Sequence, residues 1–206
     1  MESTLNYEIV KRESKYSGHF NIEEVTVKNG DKEFKAEIFN RGNSVGALVY
    51  NTETKKYIFT EQYRVGADGI MVEIVAGKID ENEKPQDAIK REIAEEIGYK
   101  VDNMTHITDL YLSPGGSNEI IALFYVEVSE KIGEGGGIGD EKIRIVEVDD
   151  LGMSGNLFFD MSEDGNITPP YKLIDAKSVI AVNSHVQGKM LRDLWKTMSD
   201  YKMKSL

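Results

Sequence analysis

The chain has 206 residues, 40% of them hydrophobic and 30% charged, with a formal charge of −11 from 25 basic and 36 acidic side chains. That length suits one ordinary domain, or one domain with an appendage, and the composition is that of a folded globular protein rather than a disordered one. The acidic balance argues against non-specific nucleic-acid or anionic-membrane binding, and the absence of cysteine excludes disulfides and thiolate metal sites.

The N-terminal MESTLNYEIVKRESKY lacks the apolar stretch of a signal peptide, and no apolar run has the length of a membrane span, so a cytoplasmic location is expected. HFNIEEVTVKNG and EFKAEIFN read as a hairpin turning at Asn29-Gly30-Asp31. SVGALVY and YIFTEQYRV form a second strand pair around the polar NTETKK, and MVEIVAG reads as one strand ending at Gly77. HITDLYLS and EIIALFYVEVS follow, separated by PGGSN. IRIVEVDD is a further strand. From about Asp175 the spacing is helical, with Val179, Val182, Val186, Met190 and Leu194 as the expected apolar face. GEGGGIGDE reads as a flexible loop, and MSGNLFFDMSEDGNITPPYK is irregular. Strands interspersed with a few helices predict an α/β sandwich.

Residues 77–99, GKIDENEKPQDAIKREIAEEIGY, crowd acids onto one helix. Pro85 suits its first turn, Asp87 favours the positive end of its dipole, and Gly98 is placed to stop it. Ile89, Ile93 and Ile97 recur at steps of four and make an apolar stripe. Glu92, Glu95 and Glu96 then share an arc of roughly 100° beside that stripe, and Arg91 lies within reach of Glu95. Such a helix buries one side and presents three acids along an edge. Repulsion there costs only about 0.2–0.5 kcal/mol per pair, so a solvated acidic face is physically acceptable. A hard cation such as Mg²⁺ or Mn²⁺ gives the crowding a purpose, because carboxylate repulsion becomes affinity once it binds.

The spacing decides between these readings. Gly77, five residues, Glu83, seven residues, Arg91-Glu92-Ile93, one residue, Glu95-Glu96, one residue, Gly98 and Tyr99 together resemble the Nudix box, with Tyr99 standing where an aliphatic residue is usual. Pro114 in YLSPGGSNE, together with EIVAGKID, FNRGNSV and EQYRV, is similar to the ADP-ribose pyrophosphatase branch of that family, including its GDP-mannose pyrophosphatase members. The resemblance implies a Nudix α/β/α sandwich with a mixed sheet in residues 44–206. Before it, residues 1–43 would supply N-terminal antiparallel strands for dimerisation and substrate contacts.

It also implies roles for individual residues. The metal ligands would be the Ala76 carbonyl, Glu92, Glu96 and Glu141, with Glu95 supporting the cluster. Gly139 stands where some relatives carry a second loop glutamate, so the acid that handles water is left open between Glu141, Asp140 and a box glutamate. Arg64 matches an arginine on the diphosphate, a role suited to the guanidinium fork. Gly77 and Lys78 border the substrate beside Ala76, Glu119 would accept from sugar hydroxyls, and Arg41 is a further candidate. Lys35 and Glu37 would act across a homodimer interface. His19, His106 and His185 have no ligand spacing and read as structural.

The implied reaction is Mg²⁺-dependent hydrolysis of a nucleoside diphosphate sugar, ADP-ribose first and GDP-mannose next, by an enzyme with no nucleic-acid or membrane partner. Mn²⁺ is an alternative metal. The alternative from another class is a Nudix domain that senses such a ligand without hydrolysing it.

Overall fold

The computed structural model describes residues 5–139, 141–149, 173 and 175–204. The irregular stretch MSGNLFFDMSEDGNITPPYK falls outside that range, as does Asp140.

One compact unit comprises Met1–Ser44 and Asp109–Ile121. Its strands β1 (Tyr7–Ser17), β2 (Asn21–Asn29) and β3 (Lys32–Asn40) form an antiparallel sheet in the order β1-β2-β3. The β2–β3 register pairs Asn29 with Lys32, which leaves Gly30 and Asp31 as a two-residue turn, and Gly30 takes the φ of +62° that such turns require. Strand β1 was not evident in the sequence: its charged residues break the alternation, and pairing with β2 rather than burial organises it. Of these three strands only Val25 is fully buried, whereas Tyr7, Ile9, Val10, Tyr16 and Phe34 are exposed. The PGGS segment belongs to this unit, with the Phe39 N–H donating to the Gly116 carbonyl at 2.8 Å.

The second unit, Val45–Thr108 with Ala122–Leu206, carries the two α-helices of the described residues. The mixed seven-stranded sheet is built from β4 (Ser44–Asn51), β5 (Lys56–Arg64), β6 (Gly69–Glu73), β7 (Val75–Lys78), β8 (Tyr99–Tyr111), β9 (Ile120–Lys131) and β10 (Arg144–Asp149). Its main path runs β10-β5-β4-β9-β8, with β6 on β5 and β7 on β4. β4 is buried along nearly its whole length, as a central strand covered on both faces must be.

Strand alternation sorts the sheet's side chains onto two helices. Val45, Ala47, Val49, Ala122, Phe124, Val126 and Val128 pack in one core cluster with Ile89, Ile93 and Ile97 of α1 (Pro85–Ile97). Tyr57 and Tyr125 instead meet α2 (Ala176–Lys204), where the His185 ring stacks on Tyr125 and its Nε2 lies 2.7 Å from the Tyr57 hydroxyl. This is an α/β/α sandwich. Tyr99 packs partly buried against the α1 cluster, so an aromatic serves where an aliphatic is usual.

Two expected elements differ. MVEIVAG is two strands, not one, because the Ile74 N–H leaves the ladder and donates to the Ser178 hydroxyl of α2 at 2.9 Å. The buried face of α2 is set by Ser178, Ala181 and Val182, with Val179 and Val186 only half-buried. Met190 is 66% exposed, so the apolar stripe runs on past the stretch that the sheet covers. The Leu194 side chain lies outside the described residues.

Candidate active site

The acidic helix starts and stops as its sequence dictates. Pro85 occupies the first turn, Asp87 adds its charge there, and Gly98 adopts φ 74° and ψ 27°, with its N–H donating to the Ile93 carbonyl. This fixes the rotation of α1 so that Ile89, Ile93 and Ile97 enter the core and the glutamates line one edge.

Arg91 organises that edge. Its Nε and Nη2 bind the two Glu83 oxygens at 3.0 and 2.9 Å, Nη1 reaches Glu92 at 2.7 Å and Glu95 at 3.2 Å, and Nη2 also donates to the Lys78 carbonyl. The box arginine therefore spends its donors on the loop before the helix and on two box acids. This is a reason for Arg91 and Glu83 to stand eight residues apart.

Glu96 lies deeper. It is 4% exposed, takes a backbone hydrogen bond from Ala76, and its Oε2 has no hydrogen-bond partner. Burial, then the neighbouring Glu92 charge, pushes the Glu96 carboxyl up to about 8, while the Ala76 N–H and the Arg64 charge act in the opposite direction. Burial likewise raises Glu92, opposed by Arg91 and reinforced by Glu95 and Glu141. Gly77 completes the cradle: a Cβ there would overlap the Glu92 carboxylate. For an acid held in the dry with one oxygen orphaned, beside a second desolvated acid, a bound cation would offset the cost of burial.

The structure gathers Ala76, Gly77, Glu92, Glu95, Glu96 and Glu141 into one neighbourhood, with Arg64 close enough for its charge to act on Glu96. Glu141 is exposed on the glycine-rich loop. Arg64 carries its Nε on the Glu73 carboxylate at 2.5 Å. The expectation of a merely flexible loop changes too, because Gly136 and Gly137 donate backbone hydrogen bonds to the Glu96 and Glu95 carbonyls at 2.8 and 3.1 Å.

Glu119, Arg41, Lys35 and Glu37 belong to the other compact unit. Glu119 is buried, accepts from the Ser44 hydroxyl at 2.6 Å and faces Arg41 at 3.7 Å. Arg41 also sits 5.8 Å over the Phe20 ring. Lys35 binds Glu24 at 2.7 Å, and Glu37 is exposed on β3.

Sequence reasoning missed a buried ion cluster. Glu73 receives both Arg64 and Lys177, the latter at 2.5 Å, and Lys177 also binds Asp175 at 2.9 Å while Asp175 caps the Ser178 N–H. The one available signal was an acid inside the apolar run MVEIVAG.

Comparison with known proteins accords with this geometry. A family model described as NUDIX domain matches residues 40–169, more than half of the chain. This chain belongs to the Nudix family. The GDP-mannose pyrophosphatase of Salmonella arizonae is 33% identical over 200 residues, covering 89% of this chain and 98% of that protein. The GDP-mannose pyrophosphatase of Cronobacter sakazakii is 35% identical over 158 residues, covering 70% of this chain and 82% of its own. A solved structure titled as an ADP compounds hydrolase has a TM-score of 0.68 at 19% identity, over 96% of this chain and 98% of that one, and shares the Nudix fold.

The chain is thus a Nudix hydrolase, and such enzymes generally use a divalent metal. The orphaned Glu96 oxygen and the cradle at Gly77 fit one. Among the described residues no three acidic or imidazole side chains already form a closed metal cluster, so the fit rests on charge and desolvation. Among the described residues no helix is long and apolar enough to cross a membrane.

Proposed function

We propose that this Nudix hydrolase cleaves the diphosphate of a nucleoside diphosphate sugar with Mg²⁺, releasing a nucleoside monophosphate and a sugar phosphate. The observation that carries the metal site is the buried Glu96 carboxylate, whose Oε2 has no partner although Glu92 stands beside it. Glu92, Glu96, the Ala76 carbonyl and Glu141 would hold the metal, with Glu95 in support and Mn²⁺ as a substitute. When bound, the metal supplies positive charge that offsets the charge of the diphosphate oxygens.

The chain's own residues do the rest. Arg91 holds Glu92 and Glu95 in place and binds the Lys78 carbonyl, and Gly77 lets the backbone approach closely at the cradle. Arg64 pairs with diphosphate oxygens through its terminal amino groups while Glu73 steadies Nε. Glu141 accepts a proton from water as the water oxygen bonds to one phosphorus. The bond from that phosphorus to the bridging oxygen then breaks, and the bridging oxygen leaves with the second phosphate.

GDP-mannose is favoured by the names of two relatives, and ADP-ribose by the branch resemblance at SPGG and EIVAG. Incubation with Mg²⁺ and a panel of diphosphate sugars, with nucleoside monophosphate release as the readout, should give product from at least one of the two. No product from any sugar would overturn the reading in favour of a ligand sensor.

A homodimer in the cytoplasm completes the proposal, with Lys35 and Glu37 serving the partner's substrate. Its support is the apolar exposure of β1–β3, a sheet with one fully buried residue. Sedimentation at micromolar concentration should give twice the chain mass; a monomer would exclude shared sites.

A further inference from the structure

A helix C-terminus leaves its last carbonyls without intrahelical donors. At α1 the Gly98 N–H satisfies Ile93, and the glycine-rich loop supplies two further donors: Gly136 donates to the Glu96 carbonyl at 2.8 Å and Gly137 to the Glu95 carbonyl at 3.1 Å. In return, the Gly98 carbonyl accepts from Ile132 and Gly133 at 2.7 and 3.1 Å. The end of the acidic helix is therefore finished by a segment far along the chain rather than by solvent.

Glycine is required at this junction for two separate reasons. Gly135, Gly136 and Gly137 have φ of +72°, +101° and +84°, where other residues are strained. A Cβ at Gly135 would also stand 2.7 Å from the Glu96 carbonyl oxygen, and one at Gly137 would stand 2.9 Å from the Glu141 Cβ and 3.2 Å from its Oε2. Gly137 thus touches both ends of the problem: its N–H holds the helix and its Cα face abuts Glu141. The Glu141 charge is felt at both Glu92 and Glu96, which fits the same placement.

We propose that Gly136 and Gly137 are positioning residues: they splice the loop to the end of α1 and so set where Glu141 stands relative to Glu92 and Glu96. This rests on the reading of Glu141 as a site residue, and extends it by naming what aims that side chain. The junction works without a covalent tie because two backbone hydrogen bonds in a glycine-only conformation admit one register of loop against helix. Movement of the loop is then confined to residues beyond Gly137.

The test is a double-mutant cycle of Gly137→Ala with Glu141→Gln, measured as kcat and KM on a hydrolysed diphosphate sugar. Gly137→Ala should lower kcat about 10- to 100-fold, the usual consequence of an ångström-scale misplacement, with KM changed less than about twofold. In the Glu141→Gln background it should cost nothing further, because the group it positions is already disabled. Loss in Glu141→Gln with a wild-type kcat in Gly137→Ala, or losses that multiply in the double variant, would overturn the splice and leave the role of Glu141 standing. Full activity in Glu141→Gln would overturn that role and the splice with it. Should Gly137→Ala fail to fold, amide hydrogen exchange on the unaltered protein decides. Gly136 and Gly137 should exchange as slowly as the last turn of α1, and exchange at open-loop rates would overturn the proposal.

Discussion

Glu73 and Glu96 are equally withdrawn from solvent, at 3% and 4% exposure, yet their surroundings treat the charge in opposite ways. Around Glu73, Arg64 and Lys177 each engage one oxygen, so both are matched by cations already in the protein. Around Glu96, burial and the Glu92 and Glu141 charges outweigh the Ala76 N–H and the Arg64 charge, one oxygen is orphaned, and the carboxyl is pushed up to about 8. Burial alone therefore does not mark a functional acid. What separates the two is burial without a cation bound directly to the carboxylate, since a buried carboxylate without such a partner is unstable unless a cation arrives. Glu73 is thereby part of the scaffold, whereas Glu96 keeps the surroundings on which the proposed metal site rests.

The largest effect should come from Glu96→Gln, which keeps the shape and removes one anionic donor. Turnover at saturating Mg²⁺ should fall about 1,000-fold or more, some 4 kcal/mol of lost stabilisation. Its metal-free melting temperature should be equal to or above that of the unaltered protein, because a desolvated acid has been neutralised. Steady-state assays and calorimetry in EDTA read the two halves, and a few-fold change in turnover would break the contrast.

Glu73→Ala should do the reverse to stability. It strands Lys177, which is 12% exposed, and frees Arg64, so urea unfolding should show a loss of about 2–4 kcal/mol, tempered by the exposure of Arg64. A loss no greater than that of an ordinary surface substitution would remove Glu73 from the scaffold.

A pH titration of metal-free protein sharpens the comparison. With its folded carboxyl raised to about 8 from an ordinary 4.5, Glu96 binds more proton folded than unfolded between those values. Its contribution to stability is therefore largest at or below about pH 4.5 and declines as pH rises through about 8. Unfolding measured across that window should show the decline in the unaltered protein, a flatter profile in Glu96→Gln, and protection by Mg²⁺ near neutral pH. The smallest effect is expected from Lys35→Met: the Lys35–Glu24 pair is surface-exposed, so no measurable change in unfolding should follow. Any rise in KM would then report a substrate contact rather than a damaged fold.

The β2–β3 turn, the β4–β5 pair, the bounds of α1 and the burial of Ile89, Ile93 and Ile97 were legible because each depends on neighbours within a few residues. Gly98 stops a helix through its own backbone, and the spacing of four repeats by helical geometry alone. The same holds for Arg91 with Glu95. The break at Ile74 was not legible, because it depends on Ser178 more than a hundred residues away. Nor was the exposure of Met190, which has the right spacing but lies past the stretch of α2 that the sheet covers.

By itself the sequence determined that this is an acidic, cysteine-free α/β protein with a Nudix box, and therefore a helix with Glu92, Glu95 and Glu96 along one edge. The composition and the acidic edge follow from residue counts and helical period, and the box from its resemblance to the family's motif, none of which needs knowledge of the rest of the fold. Tertiary structure alone decided that Glu96 is desolvated and unpartnered, that Glu73 is neutralised by Arg64 and Lys177, and that Gly136 and Gly137 close the end of α1. The reason is that charge in a protein is governed by what lies around it in space. The dielectric, the nearest counter-charge and the available donors come from elements that the chain brings together only on folding.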